Sequence, residues 1–308
     1  MALGVLNNLS AVYAENNLNN TDNSLQTVLQ QLSSGSKINS GADDAAGLSL
    51  VNGLEANSTA LTQSSTNATE GVGLLDVADG ALSQVTSLLN RAVTLATEAS
   101  NGTLNTSQEG AANQEYQSIL AEISNIGSTT TYNQQQVFGQ TAAGNTVSIY
   151  TGDSSAAGAS VDTLYFAELS SASVGDAGGS VNYTAAAGAT PATISYTAVA
   201  SATNQEVLTG TTLTTATAEA ALNDLNTAIA DVAAQDGYIG AQINTLNSIS
   251  QVMTTQQENV VSAQNAIQAT DYASATSNMS KYEILSQTGI SALAQANSVQ
   301  QEVTKLLQ

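Results

Sequence analysis

The sequence predicts a mainly α-helical protein with long coiled-coil helices from both chain ends, a β-hairpin and a small β-rich insert. Near both ends, apolar residues recur at steps of three and four, the spacing of helices that pack on other helices. Aromatic residues make up 4% of the 308 residues and tryptophan is absent, so burial must come from many small side chains along extended interfaces. Between the helical ends the chain is rich in Ala, Thr, Ser and Gly.

The first predicted helix is amphipathic. One stripe follows the i, i+3, i+4, i+7 spacing and consists of Leu25, Val28, Leu29 and Leu32. A similar stripe begins upstream with Leu9, Val12 and Tyr13, and an Asn-rich, weakly helical stretch lies between them. We therefore expect a helix with one apolar face near the N-terminus.

The stretch LSSGSKINSGADDAAGLSL, Leu32 to Leu50, is predicted to be a turn followed by the start of a helix. Ser40 and Asp43 fit a capping box, in which the serine oxygen accepts from a backbone amide, and Asp44 adds a second acid to the first turn. The alternative is a catalytic carboxylate pair. Adjacent helical residues project about 100° apart, and the sequence nearby offers no base, nucleophile or metal partner, so we favour the turn.

Two helices are expected next. A seam with alternating steps of three and four comprises Leu75, Ala78, Leu82, Val85, Leu89, Ala92 and Ala96. It stops at Asn101-Gly102, which suits a left-handed helix end. Thr106 and Glu109 fit a capping box for a second helix that ends before Gly127 and folds back on the first.

The middle of the chain changes to strand patterns. Val147 and Ile149 alternate with polar residues before the turn signal Gly152-Asp153, and Val161 to Phe166 supplies a partner strand for a β-hairpin. From about Ser170 to Thr217, β-propensity comes from threonine and tyrosine, with little to build a core. We interpret this part as a small outer insert.

The C-terminal part returns to helical spacing. Leu222, Leu225, Ile229 and Val232 resume the steps of three and four, which continue with gaps to Ile267. The final segment carries a further set of apolar positions: Ile290, Leu293, Val303, Leu306 and Leu307. Long helices therefore occupy both ends of the chain.

Charge and composition exclude several functions. The formal net charge of −21 comes from 25 acids against 4 bases, which argues against nucleic-acid binding and against an anionic membrane surface. The absence of cysteine and histidine removes the commonest zinc ligands and the commonest general base. No catalytic residue, metal site or cofactor is predicted. The N-terminal stretch lacks the pattern of a cleaved signal, and no run approaches the roughly 20 apolar residues of a membrane span.

Two stretches carry a family resemblance. Leu32 to Leu50 closely resembles the N-terminal signature of bacterial flagellins, and Asp271 to Gln308 resembles the C-terminal signature of that family almost residue for residue. Asn90 to Leu95 and Ile119 to Ile123 are similar to its intervening helices. The resemblance covers roughly the first 150 and the last 90 residues.

The resemblance implies a subunit of the flagellar filament, exported unfolded without signal cleavage and assembled outside the cell. It implies three parts: a terminal coiled-coil domain from residues 1–44 with 265–308, a helical layer with a β-hairpin from residues 45–168 with 215–264, and a variable outer domain from residues 169–214. In this family the two chain ends pair in the inner core of a hollow filament, and the second helical part surrounds that core.

The implied partners are further copies of the chain, an export chaperone, and the cap and hook-junction proteins of the flagellum. We expect the terminal stripes described above to form subunit interfaces, because their narrow apolar faces bury too little area alone to offset the entropy of ordering the helices. The terminal helices are therefore expected to fold on assembly.

An innate immune Toll-like receptor recognises some flagellins through an arginine, a leucine and a glutamate. Those positions match Arg91, Leu95 and Glu122 here. The family motif often carries a second arginine and a glutamate after the first arginine, whereas here the sequence is Arg91-Ala-Val-Thr-Leu95. The alternative role for Arg91 is an ion pair with a neighbouring acid.

Two other functions fit the sequence less well. A hook–filament junction protein has similar helical ends, but the close C-terminal match favours a filament subunit. An adhesin or enzyme carried on the same scaffold would need an insert with aromatic residues or metal ligands, and the insert has neither histidine nor cysteine.

Because subunits of charge −21 repel one another, we expect assembly to be favoured in acidic or salty medium.

Overall fold

The computed structural model describes residues 8–139, 144–152, 161–170, 180–184, 193–197, 213 and 217–306. Within these residues the chain forms five helices: α1 Leu9–Ser34, α2 Ala45–Ser100, α3 Thr106–Thr129, α4 Ala218–Gln268 and α5 Tyr272–Leu306. Six short strands lie between α3 and α4: β1 Thr131–Tyr132, β2 Gln135–Gln136, β3 Asn145–Tyr150, β4 Val161–Phe166, β5 Ser180–Thr184 and β6 Thr193–Thr197. The mainly helical fold class is confirmed.

The chain divides into two compact units. Unit 1 comprises Met1–Ser58 with Glu258–Gln308, and unit 2 comprises Thr59–Gln257. Both divisions fall inside long helices, α2 and α4, rather than at the turns. Unit 1 therefore combines segments from both ends of the chain, and unit 2 is one continuous segment. The three-part assignment with its own limits stays a prediction.

The core of unit 2 is built on the predicted seam of α2. Leu75, Val85 and Leu89 have no exposed surface, and the alanines of the same seam are equally buried. They belong to one apolar cluster with α3, α4 and the end of β4, whose members include Ile123, Leu225, Ile239 and Phe166. The small side chains of the α2 seam allow close helix packing, and aromatic residues of other elements, among them Tyr116, Phe138 and Tyr238, complete the core.

The start of α3 differs by one residue from the predicted start. Asn105, rather than Thr106, is the N-cap: its side chain accepts hydrogen bonds from the backbone amides of Ser107 and Gln108 at 3.1 and 3.0 Å. Gln108, rather than Glu109, completes the capping box by accepting from the Asn105 amide at 3.0 Å. Asparagine is at least as good an N-cap as threonine, so the residue immediately upstream takes the position. The predicted end of α2 is confirmed: the helix ends at Ser100, and Gly102 has φ of 61°.

The predicted β-hairpin is present. β3 pairs antiparallel with β4 from Asn145 opposite Phe166 to Tyr150 opposite Val161. Two shorter antiparallel pairs, β1 with β2 and β5 with β6, also form. The β1–β2 turn was not predicted, because Asn133 and Gln134 adopt φ of 49° and 65° without a glycine at either position. Asp153 of the predicted hairpin turn and most of the predicted insert lie outside the described residues.

Side chains of α4 hold the backbone of β4. The Tyr165 amide donates to the Tyr238 hydroxyl at 3.2 Å, and Gln235 Nε2 donates to the Tyr165 carbonyl at 3.1 Å. Tyr238 and Gln235 are both buried. Buried polar groups of this kind need a partner, and the backbone of Tyr165 supplies it. The β3–β4 hairpin is therefore an integral part of unit 2.

Candidate functional site

The two chain ends pair in unit 1, and the paired helices α1 and α5 are here called the terminal pair. α1 begins at an asparagine cap, where Asn8 Oδ1 accepts from the Ala11 amide at 3.1 Å. It ends at Gly35, whose φ of 71° is a left-handed conformation and whose amide donates to the Gln31 carbonyl at 2.9 Å. These caps at both ends define a helix of 26 residues.

The helices of the terminal pair run antiparallel. Asn8 Nδ2 donates to the Ala296 carbonyl at 2.9 Å, and Ser286 Oγ donates to Asp22 Oδ1 at 3.0 Å. Less exposed positions on α5 recur at steps of four and three: Ala275, Met279, Tyr282, Ser286, Gly289, Leu293 and Ala296. On α1 they include Ala11, Ala14, Leu18, Leu25, Val28 and Leu32. This spacing is that of a two-helix coiled coil.

The predicted stripe residues divide between two faces. Val28 is buried, and Leu25, Leu32 and Leu293 are half-buried, so these four contribute to the contact between α1 and α5. Leu29 and Ile290 are exposed, at 45% and 52% of their surface. Val303 and Leu306 fall in the last turns of α5, but their side chains, and Leu307 altogether, lie outside the described residues.

The sequence pattern missed several exposed apolar residues of α5. Ile284 and Leu285 are exposed at 65% and 43%, close in the chain to Ile290. They fall off the steps of three and four that mark the seam, so a search for one stripe does not select them. The sequence feature that could have identified them is an isoleucine and a leucine at positions outside the seam, where the helix is otherwise mostly polar.

The turn that joins α1 to α2 is organised by its two acids. Asp43 Oδ2 accepts from the amides of Asn39 and Ser40 at 3.1 and 2.8 Å and from the Ser40 hydroxyl at 3.1 Å. These hydrogen bonds, that from the Asn39 amide first, hold the pKa of Asp43 below its ordinary value. Asp44 Oδ1 accepts from the Gly47 amide at 2.9 Å, directly before α2 begins at Ala45.

The predicted roles of Ser40 and Asp44 are therefore corrected. Ser40 does not accept from a helix amide; its hydroxyl and its amide both donate to Asp43. The helix starts later than the Ser40 capping box requires, and Asp44 occupies the capping position. Two consecutive acids allow this, because the first closes the turn and the second satisfies the helix amides.

The same turn contacts the turn between α4 and α5. The Lys37 amide donates to the Gln268 carbonyl at 2.7 Å, and the Thr270 amide donates to the Gly35 carbonyl at 3.1 Å. Asp271 then caps α5, accepting from the Ala273 amide at 3.0 Å. The N-terminal signature stretch thus contacts, through backbone hydrogen bonds in unit 1, the residues that immediately precede the C-terminal signature.

The candidate receptor patch is only partly exposed. Arg91 Nε donates to Glu115 Oε1 at 2.7 Å, a hydrogen bond that raises the pKa of Arg91 and lowers the pKa of Glu115. Glu122 is exposed, but only 2% of the surface of Leu95 is exposed to solvent, because Leu95 packs in the core of unit 2. The expectation that Leu95 contributes to a surface patch is therefore wrong for the folded chain.

No group of three or more acidic, histidine or cysteine side chains capable of holding a metal ion occurs among the described residues. One described helix, α2, is long and apolar enough by composition to cross a bilayer, but its apolar seam packs inside unit 2.

Two family profiles match the chain at its two ends. The first, described as the bacterial flagellin N-terminal helical region, matches residues 5–143, and the second, the bacterial flagellin C-terminal helical region, matches residues 222–307. The flagellin of Listeria monocytogenes is 30% identical over 304 residues, covering 97% of this chain and 98% of that protein. This chain belongs to the bacterial flagellins.

The chain is also similar to other flagellins. The flagellin of Halalkalibacterium halodurans is 30% identical over 300 residues, covering 97% of this chain and 98% of its own length. Polar flagellin C of Vibrio parahaemolyticus is 38% identical over 146 residues, or 46% of this chain. The crystal structure of Bacillus cereus flagellin aligns with 65% of this chain and 94% of its own, at 24% identity and a TM-score of 0.44.

Membership of the flagellins establishes the general function. The chain is the structural subunit of the bacterial flagellar filament, and self-polymerisation outside the cell is the property of its family. The terminal pair joins the two profile-matched regions, since α1 belongs to the first and α5 to the second.

Proposed function

We propose that this flagellin polymerises through the terminal pair, and that neighbouring copies cover its exposed apolar side chains in the filament. The observation that supports this most directly is the exposure of Ile284, Leu285 and Ile290 on α5 and of Leu29 on α1. Large apolar side chains concentrated on one segment of a soluble protein mark an interaction surface.

The energetics of the isolated pair favour the same proposal. Among its described side chains, Val28 is the one buried residue of α1 and Ala275 the one buried residue of α5. Ordering a residue costs roughly 1–2 kcal/mol in backbone entropy, whereas burying apolar surface contributes roughly 25 cal/mol per Å². The pair alone therefore offsets little of its ordering cost, and contacts between subunits supply the remainder.

The experiment compares polymerisation of matched variants by sedimentation and negative-stain electron microscopy after seeding. Deleting residues 271–308 should abolish filaments, and replacing Ile284 and Ile290 together by serine should raise the critical concentration at least about tenfold. The control replaces Val77 and Val252, exposed apolar residues of unit 2, by serine and should polymerise normally.

Two outcomes would contradict the proposal. If the Ile284 and Ile290 variant polymerises like the parent while the Val77 and Val252 variant fails, the interface lies on unit 2. If the full chain stops at short oligomers with α1 and α5 folded, a hook–filament junction role would take its place.

The export route and the partner proteins are proposed by analogy with the family. We infer that the flagellar export apparatus secretes the chain with its N-terminus uncleaved, and that an export chaperone, the filament cap and the hook-junction proteins contact it in turn. The intact mass of the secreted chain, compared with the mass calculated from the amino-acid sequence, tests the first inference. A mass lower by an N-terminal segment would contradict it.

We propose that the subunit has an inner, a middle and an outer part. The inner part is the terminal domain of residues 1–44 with 265–308, the middle part is the helical layer of residues 45–168 with 215–264, and the outer part is the domain of residues 169–214. The pairing of β5 with β6 supports a β-rich outer part. Proteolysis of assembled filaments should cleave within residues 169–214 first, and early cleavage within α1 or α5 would contradict the order.

We propose that any Toll-like receptor contact involves Arg91 and Glu122 but not Leu95, which is buried. Arg91 is already held by Glu115, so a receptor must break or share this ion pair. In a receptor reporter assay, Arg91→Ala should reduce the response and Glu115→Ala should leave or increase it. A response unchanged by Arg91→Ala would exclude the patch.

A further inference from the structure

The apolar seam of the terminal pair does not by itself select one alignment of the two helices. Its members are mostly alanine, leucine and other side chains of modest size, repeated at heptad spacing on both helices. Sliding α5 along α1 by one heptad would again place apolar residues opposite apolar residues. A different contact must therefore exclude the shifted alignments.

Asp22 and Ser286 make such a contact. Ser286 Oγ donates to Asp22 Oδ1 at 3.0 Å at the edge of the seam. Asp22 is the one charged residue among the less exposed, described positions of α1. By the register of this hydrogen bond, a one-heptad slip would place Asp22 opposite Met279 or Leu293. A carboxylate facing an apolar side chain loses its donor and part of its hydration.

Leu18 and Gly289 add a steric constraint one turn away. A Cβ built on Gly289 would lie 3.2 Å from Leu18 Cδ1, so the glycine gives the leucine the room it occupies. In one shifted alignment Leu18 would face Tyr282, which is far larger than glycine. In the other it would face Ala296, and Ser286 would face Leu29.

We propose that the Asp22–Ser286 hydrogen bond, supported by the Leu18–Gly289 contact, sets the register in which the two chain ends pair. These residues are specificity-determining positions for pairing of the terminal helices. A polar pair at a coiled-coil seam can act in this way, favouring one register at some cost in stability.

A second determinant lies at one end of the pair. The backbone hydrogen bonds of Lys37 with Gln268 and of Gly35 with Thr270 fix the helices where α1 ends. Asp22 lies about 20 Å along α1 from these bonds, at 1.5 Å per residue. The rival explanation is that the backbone bonds alone set the register for the whole pair, and the experiment must separate the two.

Disulfide cross-linking tests the register, since the chain has no cysteine of its own. In the full chain, the reporter with cysteines at Ala14 and Leu293 matches the observed register, and the reporter with cysteines at Ala14 and Gln300 matches a one-heptad slip. Each is oxidised in the soluble chain and in filaments, and intrachain cross-links are separated by electrophoresis.

We expect the register-matched reporter to cross-link at least about tenfold faster than the slipped reporter. Asp22→Ala with Ser286→Ala should bring this ratio down to about threefold or less, whereas Asp22→Asn, which keeps an acceptor oxygen, should preserve it. As a control, circular dichroism of each variant measures whether its helix content equals that of the parent.

Three results would overturn the proposal. A tenfold preference retained by the double alanine variant would assign the register to the backbone bonds between the turns. Equal cross-linking of both reporters in the parent would show that no register is set. Absence of the register-matched cross-link in both the soluble chain and the filaments would show that the helices do not pair in this way.

Discussion

At the residue scale, the acids of this flagellin differ according to their surroundings. Asp43 is exposed and surrounded by donors, which lower its pKa. Asp162 lies on β4, where burial raises its pKa, and one of its carboxylate oxygens is buried without a hydrogen-bond donor among the described residues. No lysine or arginine occurs between Ala92 and Ser280, so Asp162 has no cationic residue close to it along the chain.

The raised pKa of Asp162 gives stability a definite pH dependence. The folded state holds this proton more tightly than the unfolded chain does, so folding is most favoured below the ordinary carboxyl value of 3.8. The free energy of unfolding then falls as pH rises through the raised pKa, because the charged form is the one that burial disfavours.

We predict that Asp162→Asn stabilises the protein at pH 7 by a few tenths to about 1 kcal/mol, a modest amount because the side chain is only partly buried. Near pH 3, where the native carboxyl is protonated, the gain should vanish. Thermal unfolding at both pH values measures this. Asp76→Asn, which removes an exposed acid from α2, is the control; an equal gain from it would attribute the effect to net charge.

At the scale of single elements, glycines within one helix have opposite roles. Gly127, near the end of α3, lies against the backbone of Leu169, and a Cβ there would collide with the Leu169 carbonyl and lie 2.8 Å from its Cβ. Gly110, near the start of the same helix, has open space around it. Helix propensity favours alanine at both positions, so only the packing distinguishes them.

We predict that Gly127→Ala lowers the free energy of unfolding by about 1 to 3 kcal/mol, because the neighbouring backbone cannot move aside. Gly110→Ala should raise it by roughly 0.5 to 1 kcal/mol through reduced entropy of the unfolded chain. Chemical denaturation of both variants supplies the values. A stabilising Gly127→Ala would mean that the segment around Leu169 does not pack against α3.

At the scale of the whole molecule, the two units differ in how much they bury. Unit 2 has a continuous apolar cluster, whereas the terminal pair in unit 1 buries few side chains. Local stability follows burial and contact density, so the two parts should open at different free energies. Assembly should reduce this difference, because subunit contacts cover the terminal pair.

We predict that backbone amides of α1 and α5 exchange at least about a hundredfold faster than those of the α2 seam in the soluble chain. In filaments, the exchange of α1 and α5 should slow by at least about tenfold, whereas the α2 seam should change little. Hydrogen exchange with mass spectrometry measures both. Strong protection of α1 and α5 in the soluble chain would show that they fold without assembly.

Net charge also acts on the whole assembly. Each copy carries −21, and the Debye length falls from about 30 Å at 0.01 M salt to about 3 Å at 1 M. We predict that the critical concentration at pH 7 falls at least about tenfold over this range, and that assembly in dilute buffer is faster at pH 4 than at pH 8. Sedimentation of seeded filaments measures both effects. Equal assembly in every condition would show that charge repulsion does not limit assembly.

The sequence by itself determined the helices, the β3–β4 hairpin and the family, because heptad spacing, strand alternation and long signature motifs are local properties of the chain. The α2 seam is an example: its seven predicted positions are all buried. The local pattern also predicted that the two acids of the signature turn lie at the start of α2. It did not predict that Asp44, rather than Ser40, caps this helix.

Only the tertiary structure decided which apolar faces are used inside the chain and which remain for other subunits. Leu29 and Val28 are neighbours in sequence with the same apolar character, yet one is exposed and the other buried. Leu95 matched a surface motif and proved to be core. The physical reason is that a helix pattern specifies an apolar face, whereas burial depends on which partner, distant in sequence, packs on that face.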